Sequence, residues 1–220
     1  LSQFLSRGLL LLQIGPRTRI MAYDRAANER NAIQGLKLLD KPLKWHRLDD
    51  GVTGGQSSTE HNYQAEDGVL DFSGHINTSG GGFTSIRAPI SCGMSADTSG
   101  VRVVYVGDGK TYKVLFSDGN KSAFGPSRRS PSWQTDLPTK EGVEETVTIS
   151  FESLTPSLQG GPIDTAAKLD PTQIKELGFM LSLKLSNGKP NPVETFGTGI
   201  FPFSLKIKSI EPVLDCKANT

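Results

Sequence analysis

Strict alternation of apolar and polar residues, broken repeatedly by Gly, Pro, Asn and Asp, restricts this chain more than any other feature. In ETVTISF, Val147, Ile149 and Phe151 oppose Thr146, Thr148 and Ser150. A period of two gives one face to a core and the other to water, the pattern of a half-buried antiparallel strand. VLDFSGHI repeats it, with Leu70, Phe72 and Ile76 against Asp71, Ser73 and His75. KTYKVLFSD sets Tyr112, Val114 and Phe116 against Thr111, Lys113 and Leu115. GFMLSLKL aligns Phe179, Leu181, Leu183 and Leu185, and FPFSLKIKSI aligns Phe203, Leu205 and Ile207. Many such strands joined by turns predict an all-β antiparallel sandwich.

The turns need special residues, and composition supplies them. The 24 Gly and 13 Pro of 220 residues make about 17%, against an average of roughly 12%. The length suits one β domain with extensions, or at most two small domains. Two helical pieces are expected. DPTQIKEL offers Asp170 as N-cap and Pro171 at the first helical position. Asn28 to Leu39 carries Ala32, Ile33, Leu36 and Leu39 at helical spacing.

Net charge is +1, so no global field points to nucleic acid or to an acidic partner. Residues 1–48 nevertheless hold nine Lys/Arg against three acids, or +6, leaving 15 against 20, or −5, for the rest. A basic, mostly irregular arm over 1–44 thus precedes a mildly acidic body over 45–212 and a short tail over 213–220. Residues 1–23 contain Arg, Ser and Leu but no acid, like the tail of an organellar transit peptide. A retained docking arm has the same composition. Its positives are scattered and lack aromatic stacking platforms, which favours protein docking over nucleic acid. The longest apolar run, LLLLQI at 9–14, is far short of a bilayer span. Cys92 and Cys216 are the only cysteines, and reduced, structural thiols are the expectation.

Reactive chemistry is hard to assemble. VGDGKTYK contains Gly-Lys-Thr, but Val104 stands where a phosphate loop needs glycine. A hairpin turn at Asp108-Gly109, between VRVVYV and TYKVLF, explains it better. SGGGFTSIR lacks dinucleotide spacing and precedes a strand, which suits a bulge or a close backbone approach. Arg87 shares a face with Phe83 and Ser85, and a guanidinium there needs a carboxylate, with Asp50 and Asp108 as candidates. His46, His61 and His75 form no metal spacing, and no nucleophile elbow occurs. Asp49-Asp50-Gly51 lacks the alternating oxygens of a calcium loop. Asn77-Thr78-Ser79 and Asn120-Lys121-Ser122 satisfy a glycosylation sequon, which matters only on a secreted chain. The polar loop 186–199 between two strong strands has the length of a functional or partner-held segment.

The motifs Trp45, DDGVTGGQS (49–57), GGFTSIR (81–87), GDGKTYK (107–113), FESLTP (151–156), LGFML (177–181) and PFSLKIKSI (202–210) stand in an order that resembles the complex I intermediate-associated protein family. The resemblance runs from about Trp45 to Pro212. It implies a jelly-roll sandwich related to galactose-binding domains, with no catalytic residue and no cofactor or metal. Its signature positions here are Trp45, Asp50, Gly54, Gly55, Ser57, Gly82, Phe83, Ser85, Arg87, Gly107, Asp108, Gly109, Tyr112 and Lys113. Thr53 stands where the family usually has Met, and the 186–199 loop is longer than usual. The resemblance implies an assembly factor or auxiliary subunit, peripheral on an organellar membrane complex, and the basic arm 1–44 and the long loop 186–199 are the expected contacts. Respiratory complex I on the matrix side of the mitochondrial inner membrane comes first. A photosystem at the stromal side of a plastid thylakoid is a close second. The rival reading is a carbohydrate- or small-ligand-binding module, for which Trp133 and Tyr63 are candidate sugar platforms.

Overall fold

A computed structural model describes residues 45–64, 68–90, 93–119, 131–158, 160–164 and 168–215. The expectations for the arm, its helix at 28–39, Cys92, Cys216 and the sequon at 120–122 lie outside the described residues. Twelve strands are described in chain order: β1 (His46–Arg47), β2 (Ser58–Gln64), β3 (Val69–Asn77), β4 (Phe83–Pro89), β5 (Thr98–Val106) and β6 (Thr111–Ser117) come first. Then follow β7 (Ser132–Pro138), β8 (Glu144–Ser150), β9 (Thr155–Leu158), β10 (Gly161–Pro162), β11 (Glu176–Ser182) and β12 (Ile200–Leu214). They form two antiparallel sheets, ordered β1-β4-β11-β6-β7-β9-β10 and β2-β3-β12-β5-β8. The chain is a jelly-roll β-sandwich.

The alternation names the inner faces. Leu70, Phe72 and Ile76 of β3 join Val101, Val103 and Tyr105 of β5 and Phe203, Leu205 and Ile207 of β12. Facing them across the sandwich are Ile86, Tyr112, Val114, Phe116, Leu137, Leu177, Phe179 and Leu181. Phe72 bridges the layers, with its ring edge-on to Phe203 at 4.9 Å and to Tyr112 at 6.2 Å. Each fully buried side chain of this size contributes about 1.5–3 kcal/mol relative to exposure. In β12 the pairing shifts between Ile207 and Ser209. The bulge lets Ile210 face inward three positions after Ile207, so one long strand serves the core on both sides of it.

Two expectations about connections are corrected. Asp108-Gly109 is not a hairpin turn, because β5 and β6 lie in different sheets. The turn carries the chain across the sandwich, and the same turn-forming residues serve an arch as readily as a hairpin. The alternation of GFMLSLKL also ends sooner than its pattern: β11 stops at Ser182, and Leu183 is 41% exposed. Asp170 does cap its helical turn, a 3-10 turn over Pro171–Gln173, by accepting from Thr172 N at 2.9 Å.

Candidate functional site: two carboxylate staples

The stretch 48–59 is a corner held by one buried carboxylate. Asp50 opens a 3-10 turn over Asp50–Thr53 and has no solvent exposure. Its Oδ1 accepts from Ser57 N at 2.9 Å. Its Oδ2 accepts from Ser57 Oγ at 2.6 Å, Gly82 N at 2.6 Å and Phe83 N at 3.4 Å. Burial works against the charge, but these donors outweigh it and hold the carboxyl below the usual range. Glycines beside the donors let the backbone close on the carboxylate. A Cβ on Gly55 or Gly81 would fall 2.2 Å from an Asp50 side-chain atom. Ser57 extends the staple, since its Oγ accepts from Asn77 N at 2.9 Å. Thr53 is exposed and donates its hydroxyl to the Asp50 carbonyl at 2.9 Å. Asp49 accepts from the Thr59 hydroxyl.

Asp108 makes a second staple. Its Oδ1 accepts from Tyr112 Oη at 3.0 Å, and its Oδ2 from Ser204 N at 3.0 Å and Lys110 Nζ at 3.1 Å. The turn between sheets is thereby tied to β12. Burial, and then the neighbouring Asp108 charge, push the Tyr112 phenol well above its ordinary range, so it stays a donor. Gly107 closes against Thr139, whose hydroxyl donates to Lys110 O at 2.8 Å and accepts from Gly109 N at 3.0 Å.

Arg87 corrects a third expectation. It joins neither Asp50 nor Asp108 but pairs with Glu176 at 3.0 Å on the outer face of the larger sheet. The reason is register: β4 lies beside β11 and Arg87 sits opposite Gly178, so Glu176 is its diagonal neighbour on the same face. Gly178 leaves room for the Arg87 chain, which a Cβ there would meet at 3.0 Å. Ser85 donates its hydroxyl to Leu48 O at 2.9 Å. Trp45 packs on the core, with its ring 6.3 Å from Phe179.

Sequence reasoning missed that the outer face of the larger sheet is also closed. Lys113, Leu115 and Gln134 are only 3–4% exposed there. The segment after β11 crosses this face. Ser186 N donates to Asp136 Oδ1 at 2.7 Å, Gly188 lies against Pro162, and Asn191 Nδ2 donates to Thr111 O at 3.0 Å and Ser182 O at 3.1 Å. Burial pulls the Lys113 ammonium down to about 8, with Asp136 opposing and Lys184 reinforcing. The second half of the 186–199 loop contains a short helix, α1 (Val193–Phe196), which buries Phe196 against Phe201. Val193 and Ile200 are left 58% and 71% exposed.

The arrangement holds loops in place. Among the described residues no three of His, Cys, Asp or Glu gather to hold a metal ion. No described helix is long and apolar enough to cross a membrane. Asn77 is 7% exposed, and its amide is engaged by Gln56 and Ser79, which closes that sequon to an attached glycan.

The sequence model of complex I intermediate-associated protein 30 matches residues 36–207, well over half of the chain. The chain belongs to this family. Both staples lie within the matched stretch, as do the fourteen positions that the resemblance singles out. No curated protein sequence matches the chain. Among solved structures, the family 11 carbohydrate-binding module of the cellulosomal cellulase Lic26A-Cel5E of Clostridium thermocellum is similar, with a TM-score of 0.54 at 16% identity. The likeness covers 84% of this chain and 96% of that one. A Clostridium thermocellum family 11 module in complex with a mixed-linked β-1,3-1,4 tetrasaccharide gives 0.52 at 16% identity, over 81% and 93%. These similarities establish a shared sandwich for this family member, and nothing about its ligand.

Proposed function

We propose that this chain is a non-enzymatic assembly factor or auxiliary scaffold subunit of an organellar electron-transfer membrane complex. Membership of a family described as complex I intermediate-associated is the observation that carries the reading. The signature residues support it in a specific way. Asp50, Ser57, Gly55 and Gly82 make one staple, and Asp108, Tyr112 and Gly109 another, so they build a rigid frame. On this reading the arm over 1–44 and the loop 186–199, with Val193 exposed on it, contact partner subunits. Respiratory complex I is the first assignment, with a photosystem as the alternative complex.

The carbohydrate-binding reading loses its described platform. Trp133 is 4% exposed and offers no open ring face to a sugar, and the side chain of Tyr63 lies outside those described. The deciding experiment is purification of the tagged full chain from its source membranes in mild detergent, with identification of co-purifying subunits. Stoichiometric recovery of complex I or photosystem subunits supports the scaffold role and names the complex. Recovery as a lone monomer, or retention on a glycan matrix that survives deletion of 1–44, overturns it.

A further inference from the structure

The hairpin over 183–191, which crosses the outer face of the larger sheet, is bonded mostly to itself. Leu185 N donates to Lys189 O at 2.8 Å, Gly188 N to Leu185 O at 3.0 Å and Asn191 N to Leu183 O at 2.7 Å. Lys184 adds an antiparallel bridge to Pro190. Asn191 pins the base through Thr111 O and Ser182 O. Among the described residues, the one hydrogen bond from the far end of the hairpin to the sheet below is Ser186 N to Asp136 Oδ1 at 2.7 Å. Leu183, Lys184, Asn187, Lys189 and Pro190 are exposed, so the hairpin buries little of its own. An element with few buried contacts and one tether opens at low cost.

The tether and a buried cation share one carboxylate. Lys113 lies directly opposite Asp136 in the β6–β7 register, on the face that the hairpin crosses. It is buried, and among the described residues its ammonium makes no ion pair within 4 Å. From the other elements packed there, Lys184 of the hairpin acts on it as a like charge, and β11 places the uncharged Met180 beside it. Burial holds the Lys113 ammonium down to about 8, against 10.5 in water. Lifting the hairpin would hydrate the ammonium and release Asp136 Oδ1 to pair with it.

We propose that 183–191 is a proton-sensitive strap, hinged at Ser182 and Asn191, which opens more often when Lys113 is protonated and seals the face when Lys113 is neutral. The open form has the higher proton affinity, so it gains population as pH falls. With about 8 for the closed form and 10.5 for a hydrated lysine, the open fraction falls about tenfold between pH 7 and pH 9 and is level below pH 7. The strap needs no partner, so it stands or falls apart from the scaffold reading. The test is amide exchange with water in the ¹⁵N-labelled full chain at pH 7 and pH 9, each rate divided by its intrinsic rate. Protection of the Ser186 amide should rise about tenfold from pH 7 to pH 9 and stay well below that of Val103 in the core. Leu185 and Gly188, bonded within the hairpin, should keep their protection at both. Lys113→Met should protect Ser186 strongly at both pH values, and Lys113→Arg weakly at both. Equal wild-type protection at the two pH values, the same rise in Lys113→Met, or exchange of Leu185 and Gly188 in step with Ser186 would overturn the strap.

Discussion

Asp50 concentrates the account at the residue scale. Four hydrogen bonds converge on its carboxylate, so Asp50→Asn places an amide donor against backbone N–H groups and should cost roughly 2–3 kcal/mol. Urea denaturation measures it. The folded-state pKa is depressed, so the stabilisation is complete above the unfolded value of 3.8 and disappears as pH falls through the lower folded value. Asp50→Asn should therefore flatten the acid limb of the stability–pH curve. Lys113 has the opposite sign. Its ammonium is pulled down to about 8 from 10.5, so the folded protein bears the cost of a buried charge below pH 8. Stability should rise with pH between about 8 and 10.5, and Lys113→Met should lose that slope. Asp50, Asp108 and Lys113 were singled out only by the family resemblance. Their partners were not, because alternation assigns a face and says nothing of the strand that lies diagonally beside it. Arg87 and Glu176, 89 positions apart in sequence, are the clearest instance.

At the scale of elements, spacing and turn chemistry predicted strands better than connections. The strand patterns around Phe72, Val114, Ile149 and Leu205 sit where alternation placed them. The Gly-Asp-Gly turn at 107–109 was misread as a hairpin because local sequence cannot distinguish a turn within a sheet from one between sheets. The closed outer face around Lys113 was equally illegible, since the chain that crosses it comes from some seventy residues away, at Ser186 and Asn191. Glycines around the first staple give a paired test. Gly55→Ala drives a methyl into Asp50, whereas a Cβ on Gly51 meets nothing within 4 Å. Thermal melts should show Gly55→Ala destabilised by about 1–3 kcal/mol and Gly51→Ala unchanged within about 1 kcal/mol. A different outcome is expected at the exposed apolar pair. Val193→Asp with Ile200→Asp should leave stability within about 0.5 kcal/mol per site and lower the yield of co-purifying subunits. An unchanged yield would remove this segment from the docking surface.

For the whole molecule, the fold was legible because a repeated period of two, with abundant turn residues, has few packed solutions beyond a sandwich. Sheet order was not, since it is set by long-range pairings such as β12 between β3 and β5. The scaffold proposal makes a direct claim about the cell. The decisive measurement is the amount of fully assembled electron-transfer complex on native gels after depletion of this chain. The account predicts that assembled complex falls and subcomplexes accumulate, with recovery on re-expression of the wild-type chain. Unchanged assembly after complete depletion would contradict it.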